Sequence, residues 1–361
     1  MTTYNATYNQ DGQASPLILG HSYAWEVTSY GYVDSIEVAI SQSEYWEFTY
    51  GTVTGSVHNL TKDSYYNTIQ AALNDAGNDN TIEVADGTYD ESITFPSGKK
   101  IILQSINGAS STIIRGDDGL ATVTLEDTTI SGSLKGFTIT HTHAIGDYGD
   151  GRGIYIIGGN LSIENCNITG NHVRQIHNGY GGGIYNANDG ILIINESNIS
   201  DNYASGGGGY TYANGTGGGI KNFGILIINR STISNNYASG EGGAAGGGIA
   251  SYGGTLTITE STISDNYVQC SYGASGGGIA SDDFIITASI ISDNYGSDDG
   301  GIYLGSSGTF TIGGSNDADK NTICGNYKTG EDPSLDQQIR DDTGSLYETY
   351  KDTNHISAYC E

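Results

Sequence analysis

Histidines, arginines and aspartates crowd one stretch of this 361-residue chain. Residues 141–177 hold four of its seven histidines, His141, His143, His172 and His177, together with Asp147, Asp150, Arg152 and Arg174. Imidazole beside carboxylate can ligate a metal or move a proton. His141 and His143 are two apart, so a strand would turn both to one face. Asp147, Asp150 and Arg152 fall in an insertion, 144–152, and loops of this kind carry binding residues. His141, His143, Asp147, Asp150, Arg152 and Arg174 are therefore the candidate ligand-binding set. The pattern designates no catalytic residue. Two adjacent acidic pairs, Asp282 with Asp283 and Asp298 with Asp299, stand near glycine turns. Ca²⁺ is the one cofactor such oxygens would take. The Gly-Gly-Ile copies, such as Gly182-Gly183-Ile184, are not phosphate loops, because no helical pattern follows them.

Charge removes whole classes of partner. Lys and Arg number 13 against 41 Asp and Glu, a net charge of −28. A phosphate backbone needs a basic face, so nucleic acid is excluded. An anionic membrane surface is disfavoured for the same reason. No apolar run reaches the length of a membrane span. The four cysteines form no CxxC pair, which argues against a zinc site of the usual kind. Few Lys and Cys beside 27 Tyr and 56 Gly give the composition of an extracellular protein.

These residues must be positioned by a repeat. Ile199-Ser-Asp-Asn-Tyr203 returns as Ile233-Ser-Asn-Asn-Tyr237, Ile263-Ser-Asp-Asn-Tyr267 and Ile291-Ser-Asp-Asn-Tyr295. Ile168-Thr-Gly-Asn-His172 and Ile323-Cys-Gly-Asn-Tyr327 are weaker copies. The asparagines Asn171, Asn202, Asn236, Asn266, Asn294 and Asn326 step by 31, 34, 30, 28 and 32 residues. Upstream of each lie an alternating run such as Ile225-Leu-Ile227 and a Gly-Gly-Ile corner such as Gly218-Gly219-Ile220. Three short strands per repeat cannot bury a face alone, but stacked turns can. The expected fold is all-β: a parallel β-helix of about eight turns, right-handed by the rule for parallel crossovers.

The columns carry expectations of their own. The asparagines should form a structural ladder, each amide bonding the next turn and each tolerating a left-handed turn conformation. Tyr203, Tyr237, Tyr267, Tyr295 and Tyr327, with His172 in register, are either rings stacked at one-turn spacing or a strip on which sugars stack. Cys166 falls in the column of Ser197, Ser231, Ser261 and Ser289 and is expected to be a small inward residue.

A solenoid needs its ends covered. Within 63–80 a capping helix is expected, with Asp63 or Ser64 as N-cap, Ile69, Ala72, Leu73 and Ala76 on one face, and Gly77 as the stop. The repeats occupy 81–327, and 328–361 form a C-terminal cap. A disulfide between Cys324 and Cys360 would staple that cap. Residues 1–62, which contain both tryptophans, read as a small β-rich module that packs on the helix cap or on a neighbouring subunit.

Specific motifs sharpen this. Tyr66-Asn-Thr-Ile-Gln-Ala-Ala-Leu73, Ile82-Glu-Val-Ala-Asp-Gly-Thr-Tyr89 and Leu103-Gln-Ser-Ile-Asn-Gly108 resemble the opening of pectate-lyase-like right-handed β-helix proteins. The Ser-Thr-Ile-Ser-x-Asn-Tyr and Gly-Gly-Gly-Ile copies are similar to adhesin-like surface members of that superfamily. The tail, Asn321-Thr-Ile-Cys-Gly-Asn326 with Gln337-Gln-Ile339 and Cys360, is similar too. The resemblance spans about 63–361 and implies fold and surface location. It does not imply an activity, because the superfamily holds enzymes and non-enzymes alike. A lyase of this kind would need a Ca²⁺-holding carboxylate cluster and a basic residue, and 183–300 contain only Lys221 and Arg230. The expected function is a non-enzymatic extracellular structural or adhesive protein, extending to the self-assembling subunit of a cell-surface filament. Its partners would be further copies of itself or a glycan or other cell-surface ligand. A polysaccharide-active lyase or hydrolase on the same scaffold is the alternative.

Overall fold

The computed structural model describes residues 56–361, except 117–119, 142–150, 176–177, 208–213, 272, 306–307, 342–343 and 361, and four strands before them. The chain divides into two compact units, Met1–Ser56 and Val57–Glu361. In the first, Ser22–Val27 pairs antiparallel with Glu44–Thr49, and Tyr30–Val33 with Ile36–Ala39.

The second unit is a parallel β-solenoid of about eight turns. One central turn runs through Ile220–Asn222, Ile225–Asn229, Thr232–Ser234, Tyr237–Gly240 and Gly243–Ala245 before Ile249 opens the next. That is five strands where the alternation predicts three. The two extra strands lie in Tyr/Ala/Ser/Gly stretches that bury little apolar surface, so no alternation marks them. Main-chain bonding to the turns above and below makes them strands. They build lateral sheets of six and four strands beside the main sheets of nineteen and ten.

Register is one-to-one. Ile199, Ile233, Ile263, Ile291 and Ile323 stack as parallel partners, and each is fully buried. Period-2 alternation sends these β-branched side chains inward and the intervening Thr, Asn and Ser outward. The result is one continuous apolar core from Val57 to Ile339.

Polar columns run inside that core. Asn171 Nδ2 donates to Asn202 Oδ1 at 2.9 Å, and the same bond recurs along Asn202, Asn236, Asn266, Asn294 and Asn326 at 2.9–3.0 Å. Asn326 hands on to Gln338 Oε1 at 2.7 Å. From Asn202 onward each Oδ1 also accepts the backbone N–H of the preceding rung's asparagine, as Asn266 does from Asn236 at 3.1 Å. The second amide proton of Asn266 goes to Ile233 O at 2.9 Å. A serine column repeats the device, Ser197 N–H to Ser231 Oγ and Ser231 N–H to Ser261 Oγ, each at 3.1 Å. Cys166 joins it as expected, 1% exposed, with its N–H on Ser197 Oγ.

The left-handed residue is not the ladder asparagine. It is the residue before it: Asp201, Asn235, Asp265 and Asp293 have φ of 54–56°. A second set, Glu196, Arg230, Glu260 and Ala288, precedes the serine column with φ of 44–51°. Each corner thus turns first and then points the following side chain inward. The glycine corners obey a tighter constraint. A Cβ on Gly247 would lie 2.5 Å from the carbonyl oxygens of both Gly277 and Tyr267. Two backbones pass there with no room for a side chain.

The N-terminal end is covered by the helix Ile69–Asp75, whose Ile69, Ala72 and Leu73 are buried. It starts later than predicted. Thr68 is the N-cap, and Glu91 accepts from the N–H groups of Ile69 and Gln70 at 2.8 and 3.0 Å. Asp63 and Ser64 belong instead to a hairpin, Ser64–Tyr66 on Val57–Asn59. Val57–Asn59, assigned from sequence to the N-terminal module, also pairs with the first solenoid strand, Asn80–Val84. At the other end Cys324 and Cys360 form a disulfide. It ties the last full turn to the segment that carries His355–Ser357.

Two outcomes follow. Asn266→Ala leaves two backbone N–H or amide donors and one carbonyl unmet in the core, and should cost about 3 kcal/mol in urea unfolding. A loss below about 1 kcal/mol would show that the ladder is passive. Cys360→Ser should cost roughly 3–4 kcal/mol from the loop it reopens. Dithiothreitol should then lower the melting temperature of the wild type but not of the variant.

Candidate functional site

The residues singled out from sequence take different places. His141 ends the strand Thr138–His141 and is 8% exposed, with Nε2 2.9 Å from Leu120 O. Arg152 is 4% exposed and occupies a corner position that glycine fills in later turns. Thr122 links the two: its N–H donates to Arg152 O, and its hydroxyl donates to Thr140 O, both at 2.9 Å. His143, Asp147 and Asp150 lie outside the described residues. Arg174 stands apart on the tyrosine sheet, in register with Ser205 and, further on, Ser239 and Gln269. There it lines an open groove of about 320 Å³ with Tyr237, Glu241 and Cys270. Of the acidic pairs, Asp283 accepts the Thr309 N–H at 2.6 Å, and Asp299 meets Arg340 at 3.1 Å. Among the described residues no three metal-ligating side chains gather.

The tyrosine column resolves in favour of mutual stacking. Successive ring centres from Tyr203 to Tyr327 are 4.9, 4.8, 4.2 and 5.2 Å apart, with planes within 16°. His172 closes the stack edge-on to Tyr203. Rings stacked this closely spend their faces on one another, so only edges and hydroxyls look outward. A sugar therefore cannot lie face-on along this strip. Partial burial first, and neighbouring tyrosines second, push the Tyr267 phenol above its ordinary value.

A different site stands on the sheet that opens each turn. Its outward column reads Tyr155, Tyr185, Lys221, Ala250, Ala280, Tyr303. Between the tyrosines the column narrows to alanine, and both alanines are fully covered. Tyr303 of this column lines a groove of about 400 Å³. Thr216, Ala245 and Ser275 line it from the four-stranded lateral sheet, Tyr303 from the main sheet, and Tyr252 and Asp282 from the bends that follow Ile249–Ser251 and Ile279–Ser281.

Lys221 is the unusual residue beside this groove. It is 3% exposed, in a chain with few cations. Its Nζ lies 4.4 Å from the centre of the Phe223 ring and 4.7 Å from that of Tyr252. Two ring faces replace water around the charge. Burial pushes the ammonium down to about 8, against the opposing pull of Asp282. In the sequence Lys221 stands out only as one of two basic residues in 183–300. The legible signal was the interruption of a tyrosine column by Lys-Ala-Ala, which needs strand register to be seen.

Comparison with protein-family models and with curated proteins gives no match for this chain. The site must be read from its own chemistry.

Lys221 titrates within reach of Tyr185 in the adjacent rung, Tyr252 and Asp282. Its folded value is below its ordinary 10.5, so between about pH 8 and 10.5 the unfolded chain holds the extra proton. The Lys221 contribution to stability therefore rises with pH across that window. Lys221→Met should be more stable than wild type by about 2–3 kcal/mol at pH 7. Urea unfolding at pH 7 and pH 10 should show that gap closing. An unchanged gap would exclude a depressed Lys221.

Proposed function

We propose that this chain is an extracellular structural or adhesive protein of the pectate-lyase-like β-helix superfamily, which displays ligand-binding loops on one flank. One observation carries the reading. The asparagine rungs keep identical bonds while the residues between them number anywhere from 28 to 34 apart. A constant frame with loops of changing length is how repeat proteins present recognition surfaces. In the turn from Asn202 to Asn236, the longest, the excess falls between Tyr203–Gly206 and Ile220–Asn222, on the flank that carries both grooves.

Other features support the same reading. A disulfide fits an oxidising compartment. No helix among the described residues is long and apolar enough to cross a membrane. The net charge of −28 suits a surface that meets its neighbours through cations. Self-assembly into a filament, with the N-terminal unit Met1–Ser56 docking on the next subunit, belongs to this reading.

Antibody labelling of intact source cells tests location. Labelling without permeabilisation is expected, and labelling only after it would overturn the proposal. Electron microscopy with light scattering, at low and high salt and with Ca²⁺, tests assembly. Growth of linear particles on adding salt or Ca²⁺ is expected, because screening removes the repulsion between acidic subunits. Monomers under every condition would remove the filament and leave the monomeric adhesin.

A further inference from the structure

The tyrosine column is a chemical resource as well as a packing device. Parallel register sets Tyr203, Tyr237, Tyr267, Tyr295 and Tyr327 on successive rungs, ring over ring. All five residues are half-buried. Their faces cover one another, and the edge that carries the hydroxyl turns outward. The ring carbons ortho to the hydroxyl lie on that same edge. Two of the phenols are anchored across turns: Tyr203 Oη is 3.0 Å from Ser239 Oγ, and Tyr237 donates to Gln269 Oε1 at 2.8 Å. Tyr155 and Tyr185, on the main sheet, are a looser pair, 5.2 Å apart and tilted by 30°.

We propose that this column is a modification site, where a one-electron oxidant joins neighbouring turns through dityrosine bonds. The oxidant is of the class of haem peroxidases fed with hydrogen peroxide. Each of two adjacent phenols gives it one electron and releases its hydroxyl proton to water, which leaves a phenoxyl radical. The unpaired electron of a phenoxyl resides partly on the ortho carbons. Two such carbons on facing rings form a carbon–carbon bond. Each then passes its hydrogen as a proton, through water, to a phenolic oxygen, and two phenols are restored. The pair has lost two electrons and two protons in all, and with them the peroxide becomes two molecules of water. Burial first, and neighbouring tyrosines second, raise the phenols of Tyr237, Tyr267 and Tyr327, so these enter the reaction neutral. The stack favours linking over stray oxidation, because fixed contact replaces the diffusional meeting of two radicals. Tyr267 and Tyr295 are the closest pair, at 4.2 Å and 16°, and join first. The bond closes one turn of the solenoid into a covalent loop, which restrains the unfolded chain as a disulfide does.

The site needs only the fold, so its failure would leave the surface-display reading untouched. The full chain, dilute and at low salt, is treated with a haem peroxidase and hydrogen peroxide, then digested and mapped by tandem mass spectrometry. Dityrosine fluorescence is expected in a product of monomeric size, with two hydrogen masses lost per link and the first link at Tyr267–Tyr295. The linked chain should unfold at higher urea than the untreated one. Tyr267→Phe keeps a ring in the stack but cannot form a phenoxyl. It should fold as wild type, lose the links to Tyr237 and Tyr295, and keep Tyr203–Tyr237 and Tyr295–Tyr327. A thiol returns a hydrogen atom to a phenoxyl, and Cys270 lines a groove with Tyr237, so Cys270→Ser is treated alongside. The proposal is overturned if neither wild type nor Cys270→Ser forms a link within the column, if Tyr155–Tyr185 joins first, or if Tyr267→Phe gives as much dityrosine as wild type.

Discussion

From Asn171 to Asn326, each turn of this solenoid depends on a buried amide bonding to the amide of the next turn. An asparagine in an apolar core is costly unless its donors and acceptor are all met. Here one Oδ1 receives two N–H groups from the rung before, and Nδ2 reaches both neighbouring rungs. Only one register satisfies this. A slip by one residue would bury a left-handed acidic residue in place of the amide. The isoleucine columns supply the driving force for stacking, but apolar contact alone would tolerate several registers. The ladder makes the stack specific, and the flank can then vary without risk to the frame.

That division explains what the sequence disclosed. Ile233-Ser-Asn-Asn-Tyr237 and its copies revealed the repeat, the core and the ladder, because burial at period two imposes residue type at every copy. The disulfide was visible from the position of Cys324 in the last turn and Cys360 in the tail. The lateral strands were not. Gly243–Ala245 is held by main-chain bonds that glycine and alanine make as well as any residue, so its sequence resembles a loop. The capping helix was placed correctly, yet its start was not, because Ser64–Tyr66 pairs with a strand nearly adjacent in sequence. The left-handed corner lay one residue from its assigned place, since Asp and Asn are common on both sides of it.

The candidate site shows the same limit more sharply. Clustering in sequence drew attention to His141, Arg152 and Arg174, yet Arg174 belongs to a different sheet from His141. The residues around the larger groove are scattered from Thr216 to Tyr303, nearly ninety positions. In a solenoid, residues about thirty apart are neighbours and residues ten apart can face different directions. Local density of titratable groups is therefore a poor guide here. Reading down a column is a better one, and Lys221 stands out only in that direction.

The amide ladder also has a direction. Each side chain donates towards the C-terminal end, Asn171 begins the series with its own Oδ1 unmet, and Gln338 closes it. All interior rungs are chemically alike, so a rung removed or duplicated between them leaves the same bonds at the new junction. Each such change alters the solenoid by one repeat, about 4.8 Å. Reach is thus a quantity that recombination can adjust in single steps, without any new interaction having to be invented.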